Sequence, residues 1–458
     1  MAMGAAPVAL GIAGIFFVFT ALTYAEGTAM FPEAGGSASF ARHGLSDLMG
    51  FISGWSLMFG YIVTISISAY TIPSYLGYFW EPLKMYPVIH TAVAMGIVAL
   101  LMVINVIGVR ESSQLNFSLA MLDITVQILI IVAAVVLLFN PSAFWQRITG
   151  YWPSTPDLIF GVAIAAIAFT GVETISQMSE EARRPQEKAP RAYVWVTIVV
   201  LLIYAGISVA AFSALTPTEL GSTWVTDPIA GIAQGISRAV SPFEIAKGFA
   251  VASQAIVVYL LTGLQHALPV VVALLAATIL FIATNAGLLG ISRLAFSLGR
   301  FQLIPAELSH VHSRFKTPYI SILVFGLISL ILQIPGFFGP DVFANLGGLY
   351  AFGSMLSFAL AHLSILALRV RKPDLPRPFK LRLNVKILNR ELPLTAILGL
   401  LGTGVIWVVV VVLQPYSRWV GFGWLAIGLG TFFLFRKLKR TSTEKSGATR
   451  SGLSGGQK

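Results

Sequence analysis

Apolar residues in this 458-residue chain come in long blocks separated by short polar stretches. Blocks near 5–30, 50–79, 86–108, 118–139, 158–178, 192–215, 268–292, 319–339, 343–368, 393–413 and 419–435 each supply the roughly 20 residues that a helix needs to cross the hydrocarbon core of a bilayer. The pattern predicts eleven spanning helices. A twelfth run, Phe249 to Leu264, is shorter and lies just before an apolar stretch interrupted by Pro269. Length alone leaves it as either a span or an interfacial segment.

Charge separates those two readings. If 249–264 does not span, 25 of the 30 Lys and Arg residues fall on one face of the membrane, and five (Lys84, Arg147, Arg238, Lys247 and Arg418) fall on the other. If it spans, the 19 positive charges of the later loops and tail, from 293 onward, lie opposite the earlier ones. The excess of Lys and Arg in cytoplasmic loops favours the first arrangement. The face carrying 183–191 is therefore predicted to be cytoplasmic, and 249–264 an external amphipathic or re-entrant element. The first span then enters from outside, with no Lys or Arg before Arg42 to orient it. It also lacks the basic n-region of a secretory signal. At the other end, 436–458 is polar, basic and rich in Gly and Ser, the composition of a disordered tail, placed by this topology in the cytoplasm.

Composition agrees with the pattern. With 56% hydrophobic and 11% charged residues and a mean hydropathy of +0.83, the chain reads as an all-α, multi-pass integral membrane protein, expected in the plasma membrane. It has no cysteine, hence no disulfide, thiolate metal site or thiol nucleophile. The net charge of +11 sits in scattered loops that meet lipid headgroups, which argues against a nucleic-acid partner. No HExxH, GxSxG or paired-aspartate helix suggests an enzyme. No GxxxxGK[ST] loop is present either, so energy for any transport would come from an ion or substrate gradient. No cofactor or metal is implied: His310 and His312 lie in a loop without ligand partners, and His90 and His362 are lone helix histidines.

The densest chemistry lies in "AFTGVETISQMSEEARRPQEKAPRA", residues 168 to 192. Gly171 permits departure from helical geometry, and unwound backbone in a membrane survives only where it lines protein or a cavity. Its other reading is a close helix–helix contact. Glu173 is either a functional intramembrane carboxylate or a hydrogen-bonded group near the helix end. In "LNFSLAMLDITVQIL", 115 to 129, Asp123 is the sole carboxylate, with Gln127 one turn later on the same face. Asp123 is read as a proton or cation site near a substrate, or as an aspartate hydrogen-bonded within the bundle.

Three stretches together resemble the amino acid-polyamine-organocation (APC) superfamily. The 168–192 segment is similar to its sixth helix and following loop. "ALTYAEGTAMFPEAGGSASFARHGLSDLMGFISGW", 21 to 55, looks like its second helix and the Pro-x-x-Gly-Gly loop, and "ATNAGLLGISRLAFSLGRFQLIPAELSHVHSRFKTPYISIL", 283 to 323, like its eighth helix. The resemblance implies a LeuT-type 5+5 inverted-repeat transporter fold over 1–435, with an incomplete first repeat at 5–139, a second at 158–370 and two additional helices at 393–435. The first family helix, which normally holds the substrate carboxylate, has no counterpart; Met1 is expected to be a mis-assigned start or a truncation.

By the same resemblance, Ala168, Phe169, Thr170 and Gly171 form the unwound substrate segment, Phe169 serving as an aromatic gate or as plain packing. Asn285, Ala286 and Ser66 fall at pocket-facing positions, though Asn285 reads equally as an interhelical hydrogen bond. Glu173 matches a glutamate of proton-linked gating. Asp123 stands where several relatives place a lysine that replaces a bound sodium ion. The implied function is secondary active transport of amino acids or related amines by alternating access, as proton- or ion-coupled symport or exchange. The alternative is a transport-inactive sensor or a truncated remnant.

Overall fold

The computed structural model describes residues 3–108, 113–169, 171–239, 251–339, 342–387 and 390–454, and for 113, 115, 239, 251–261, 264–265, 387 and 439–454 the backbone alone. Eleven helices among them are long and apolar enough to cross a membrane. They are α1 (Ala6–Met30), α2 (Asp47–Leu76), α3 (Pro87–Ile107), α4 (Ser113–Leu138), α5 (Thr155–Ala165, continued by broken turns to Gln177), α6 (Pro185–Ala214), α7 (Val251–Arg300), α8 (Tyr319–Gln333), α9 (Val342–Arg371), α10 (Leu394–Leu413) and α11 (Pro415–Ser454). In hydrocarbon a helix satisfies its own backbone groups, which is why apolar run length alone locates these elements.

The two most buried spans, α2 and α9, pack against each other, and α7 lies along α2. Aromatic stacking supports this centre: Trp55 and Trp424 lie 4.5 Å apart, and each indole N–H donates to the other's backbone carbonyl. The small α1 packs on α6, with Ala9, Ala13 and Ala21 buried between larger neighbours.

Contacts between loops sort them into two faces. Lys372 donates to the carbonyl of His43, Thr317 to that of Val106, and Arg293 and Arg300 pair with Glu181 and Glu180. These contacts gather the ends of α1, α3, α5, α7 and α9 on one face, which carries most of the positive charge. On the opposite face Lys84 pairs with Asp227, and Arg147 donates to the carbonyls of Phe212 and Ser213.

Two segments differ from their sequence reading. The run 249–264 is not a separate interfacial element: from Val251, its first described residue, it is the opening stretch of α7, one unbroken helix of 50 residues and roughly 75 Å at 1.5 Å per residue. Pro269 removes one donor without ending the helix, as is tolerated in membrane helices. At the other end, α11 remains helical to Ser454, where the sequence reads a disordered tail; a helix once nucleated propagates readily through Lys, Arg, Glu and Ala.

The basic face is closed by buried charge. Glu26, near the end of α1, is fully buried and receives Arg369 of α9 through both carboxylate oxygens, at 2.9 and 2.8 Å. The Leu381 N–H adds a third bond at 2.9 Å, and Arg377 stands 3.7 Å away. This clasp joins α1, α9 and the 372–393 segment, which ends in the hairpin β1 (Asn384–Ile387) and β2 (Arg390–Pro393). Beside it, Glu33 accepts from Ser39 at 2.6 Å and meets His43 at 3.3 Å; the hydrogen bond from His43 leads in holding the Glu33 carboxyl down at about 2.

Glu26→Gln leaves Arg369 buried without its countercharge. The expected cost is roughly 3–5 kcal/mol, read as a large drop in the unfolding midpoint of detergent-purified protein, with most of the loss recovered in the double variant Glu26→Leu, Arg369→Met. A drop equivalent to under about 1 kcal/mol would mean that water screens the pair.

Candidate functional site

Helix α5 starts well, with Ser154 capping the Asp157 N–H and Pro156 in its first turn. It then loses its register. Residues Ala166–Phe169 tighten into a 3-10 turn, Thr170 lies outside the described residues, and Gly171 takes φ +98°. Only short helical turns follow, at Thr174–Gln177 and Ser179–Glu181. A Cβ on Gly171 would meet no atom within 4 Å. The glycine is therefore there for its backbone conformation and not for close packing, since the left-handed region disfavours every L side chain.

The break frees backbone groups that the side chains then satisfy. The Tyr204 hydroxyl of α6 donates to the Ala168 carbonyl at 2.5 Å. Glu173, 3% exposed, accepts from the Gly171 N–H at 3.2 Å. Around that carboxylate the hydroxyls of Tyr24, Tyr61 and Tyr350 and the amide of Gln177 are buried without a protein hydrogen bond, a polar pocket on the basic-face side of the break.

A cavity of about 370 Å³ opens beside the broken turn. Ile167 and Ala168 form part of its wall, and α2, α4 and α7 supply most of the rest. Asp123 and Gln127 of α4 line it one turn apart, with Gln127 Nε2 donating to Asp123 Oδ2 at 2.6 Å. Thr64, Ser68 and Thr71 form a polar stripe on the facing side of α2. Toward the face opposite the basic one, residues 225–229 roof the cavity. That roof is pinned by Asp227, 2% exposed, to Lys84, whose ammonium also lies 5.1 Å over the Trp224 ring.

The structure thus brings together Asp123 and Ala168 and separates the other candidates from them. Ser66 does not line the cavity: it is fully buried on another face of α2, its hydroxyl 2.9 Å from the carbonyls of Ile62 and Ser329, and it ties α2 to α8. At 100° per residue the positions facing the cavity are 64, 68 and 71, and 66 points away. Asn285 accepts a hydrogen bond from Asn105 at 2.5 Å, joining α7 to α3. Ala286, beside it, is half-buried off the cavity wall, which α7 reaches through Ile279, Leu280 and Ala283. Phe169 is packed, stacked on Phe17 at 4.9 Å and edge-on to Tyr204 at 5.1 Å. Glu173 is buried on the far side of the break from Asp123. Sequence reasoning missed Tyr204, Lys84, Asp227 and Glu26, whose partners are remote in the chain and carry no motif.

With that geometry in hand, comparison with known proteins is informative. The profile described as "Amino acid permease" matches residues 2–434. The chain is 26% identical to the branched-chain amino acid permease BcaP of Bacillus subtilis, over 93% of this chain and 84% of that protein. It is 23% identical to the methylthioribose transporter of the same organism, over 95% and 87%. Against the low-affinity putrescine importer PlaP of Escherichia coli K12 the identity is 24%, over 93% and 85%.

Gly171→Ala should cost about 1–2 kcal/mol through backbone strain alone. Gly96→Ala, in the regular helix α3 with equally open space around it, should be neutral or slightly stabilising. Equal unfolding midpoints for the two variants would sink the conformational reading of Gly171. For the roof, the cysteine-free chain allows a single Thr226→Cys reporter. Adding Lys84→Ala should raise its maleimide labelling rate by about tenfold, the equivalent of 1.4 kcal/mol of lost closure. An unchanged rate would show that Lys84 does not hold the roof.

Proposed function

The chain belongs to the amino acid permease family, and from that premise we propose that it moves amino acids or related amines through the cavity beside the broken helix. The observation that carries this reading is the unwound turn Ala166–Gly171, whose Ala168 lies in the wall of the 370 Å³ cavity. Discontinuous helices build midplane sites in secondary transporters because freed backbone groups and a cavity then coincide. The cavity volume suits a small metabolite.

Transport proceeds by alternating access. In the arrangement described, the cavity is roofed by 225–229 on one face and separated from the basic face by the broken turn and the Glu26 clasp. The positive charge of the basic face supports placing it in the cytoplasm, and with it the end of α11, in a plasma-membrane setting. Coupling to a proton or cation gradient falls to the intramembrane carboxylates. Glu173, buried among hydroxyls that lack protein partners, is the group suited to take up and release a proton as access alternates.

Reconstitution into liposomes tests the proposal. Saturable uptake of leucine or of an aliphatic amine is expected, stimulated by an imposed inside-alkaline gradient. Glu173→Gln should reduce the gradient-driven component by about tenfold or more, one decade per 1.4 kcal/mol, while leaving exchange in the absence of a gradient. Ligand binding without any uptake would make the chain a sensor and end the transport reading.

A further inference from the structure

We infer that the cavity selects a protonated amine that carries no carboxylate, and that Asp123 is its charge partner. The inference rests on the transport reading above and narrows its substrate class.

The argument is an inventory of donors and acceptors. Among the residues that line the cavity, Asp123 is the only charged side chain, and no Lys, Arg or His accompanies it. Its Oδ2 is held by Gln127. Its other oxygen has no hydrogen-bond partner among the described residues. A half-buried carboxylate beside apolar walls needs a positive charge or further donors.

The remaining polar groups strengthen the bias. The Thr64 hydroxyl donates to the Gly60 carbonyl at 2.9 Å and that of Thr71 to the Ile67 carbonyl at 2.7 Å. Each proton is spent within its own helix, so what both side chains present to the cavity is oxygen lone pairs. The Gln127 amide has likewise directed a donor at Asp123. The site is thus rich in acceptors and poor in donors. An ammonium group, with three donors and a positive charge, complements it; a carboxylate would meet acceptors and no cation, at a cost of several kcal/mol in a site of low polarity.

Size and walls narrow the ligand further. A proton or a bare inorganic cation does not need 370 Å³, and the apolar side chains of Ile67, Ile130, Val272, Leu275 and Leu280 would clothe a hydrocarbon chain. The occupant is therefore an aliphatic amine of a few carbons, with Asp123 fixing its ammonium end and the walls burying the rest at roughly 0.8 kcal/mol per methylene.

The experiment is ligand-induced stabilisation of the purified full chain in detergent at pH 7, with n-butylamine, 1,4-diaminobutane and leucine as probes. The two amines should shift the unfolding midpoint saturably, and leucine should not. In Asp123→Asn, which keeps the shape of the side chain, amine affinity should fall about 10- to 100-fold, the worth of a charge-assisted hydrogen bond; Asp123→Glu should retain part of it. Should the asparagine variant prove unstable, the comparison of amines with leucine on the unmodified chain decides the matter alone. Stabilisation by leucine and not by the amines would overturn this inference and leave the permease reading standing, as would amine affinity unchanged in Asp123→Asn. No stabilisation by any probe would overturn it as well, and leucine uptake in liposomes would then report separately on whether the chain transports.

Discussion

The constraint on which the structure depends is that backbone polar groups in hydrocarbon must find partners within the protein. Ten of the eleven spans obey it by staying helical across the membrane. The eleventh, α5, violates it, and the violation is repaired locally by the Tyr204 hydroxyl on the Ala168 carbonyl and by the Glu173 carboxylate on the Gly171 N–H. Each repair brings a polar side chain to the membrane interior. A broken helix is thereby a source of chemistry and not only a defect, because it imports the hydroxyl and the carboxylate that an intact helix would have excluded.

Three interior carboxylates show three solutions to one desolvation problem. Glu26 is neutralised by a bidentate arginine and a backbone donor, an arrangement that fixes structure and leaves no capacity for a ligand. Glu173 is buried with one backbone donor and a surround of hydroxyls, so its charge is poorly compensated and its protonation can respond to rearrangement. Asp123 stands at the edge of a cavity with one amide donor, and its compensation can come from what enters. Burial alone does not assign a role; the number and kind of fixed partners does.

Much of the fold was legible because hydropathy reports directly on which segments can span. The helix ends were less so: α2 begins at Asp47, where Ser46 caps it and a leading acid suits the helix dipole, before the apolar run itself begins. The break in α5 was readable from Gly171 beside Glu173, though only the positive φ shows why glycine is there. The continuity of α7 was not readable, since proline and modest hydropathy look alike in a kinked helix and an interfacial one. Position in a resemblance misplaced Ser66 by its helical phase, and Asn285 answered to a partner 180 residues away. Glu26 escaped notice for the same reason: its guanidinium partner is 343 residues distant, and no local pattern signals a pair closed by tertiary structure.

The two closures of the cavity differ in what opening them costs. On the basic face the Glu26 clasp buries both of its partners, Arg369 as well as the carboxylate, and separating them strands two charges away from water. On the opposite face the roof rests on Lys84, whose side chain is 37% exposed, against a buried Asp227. Lys84 can exchange its partner for water at little cost, leaving one carboxylate to be hydrated as the roof lifts. The cheaper motion is therefore at the roof, while on the basic face rearrangement is easier at the broken turn, where backbone hydrogen bonds are already few, than at the clasp. The clasp then acts as a fixed point, with α1 and α9 held together at one end while the roof and the broken turn yield on either side of the cavity.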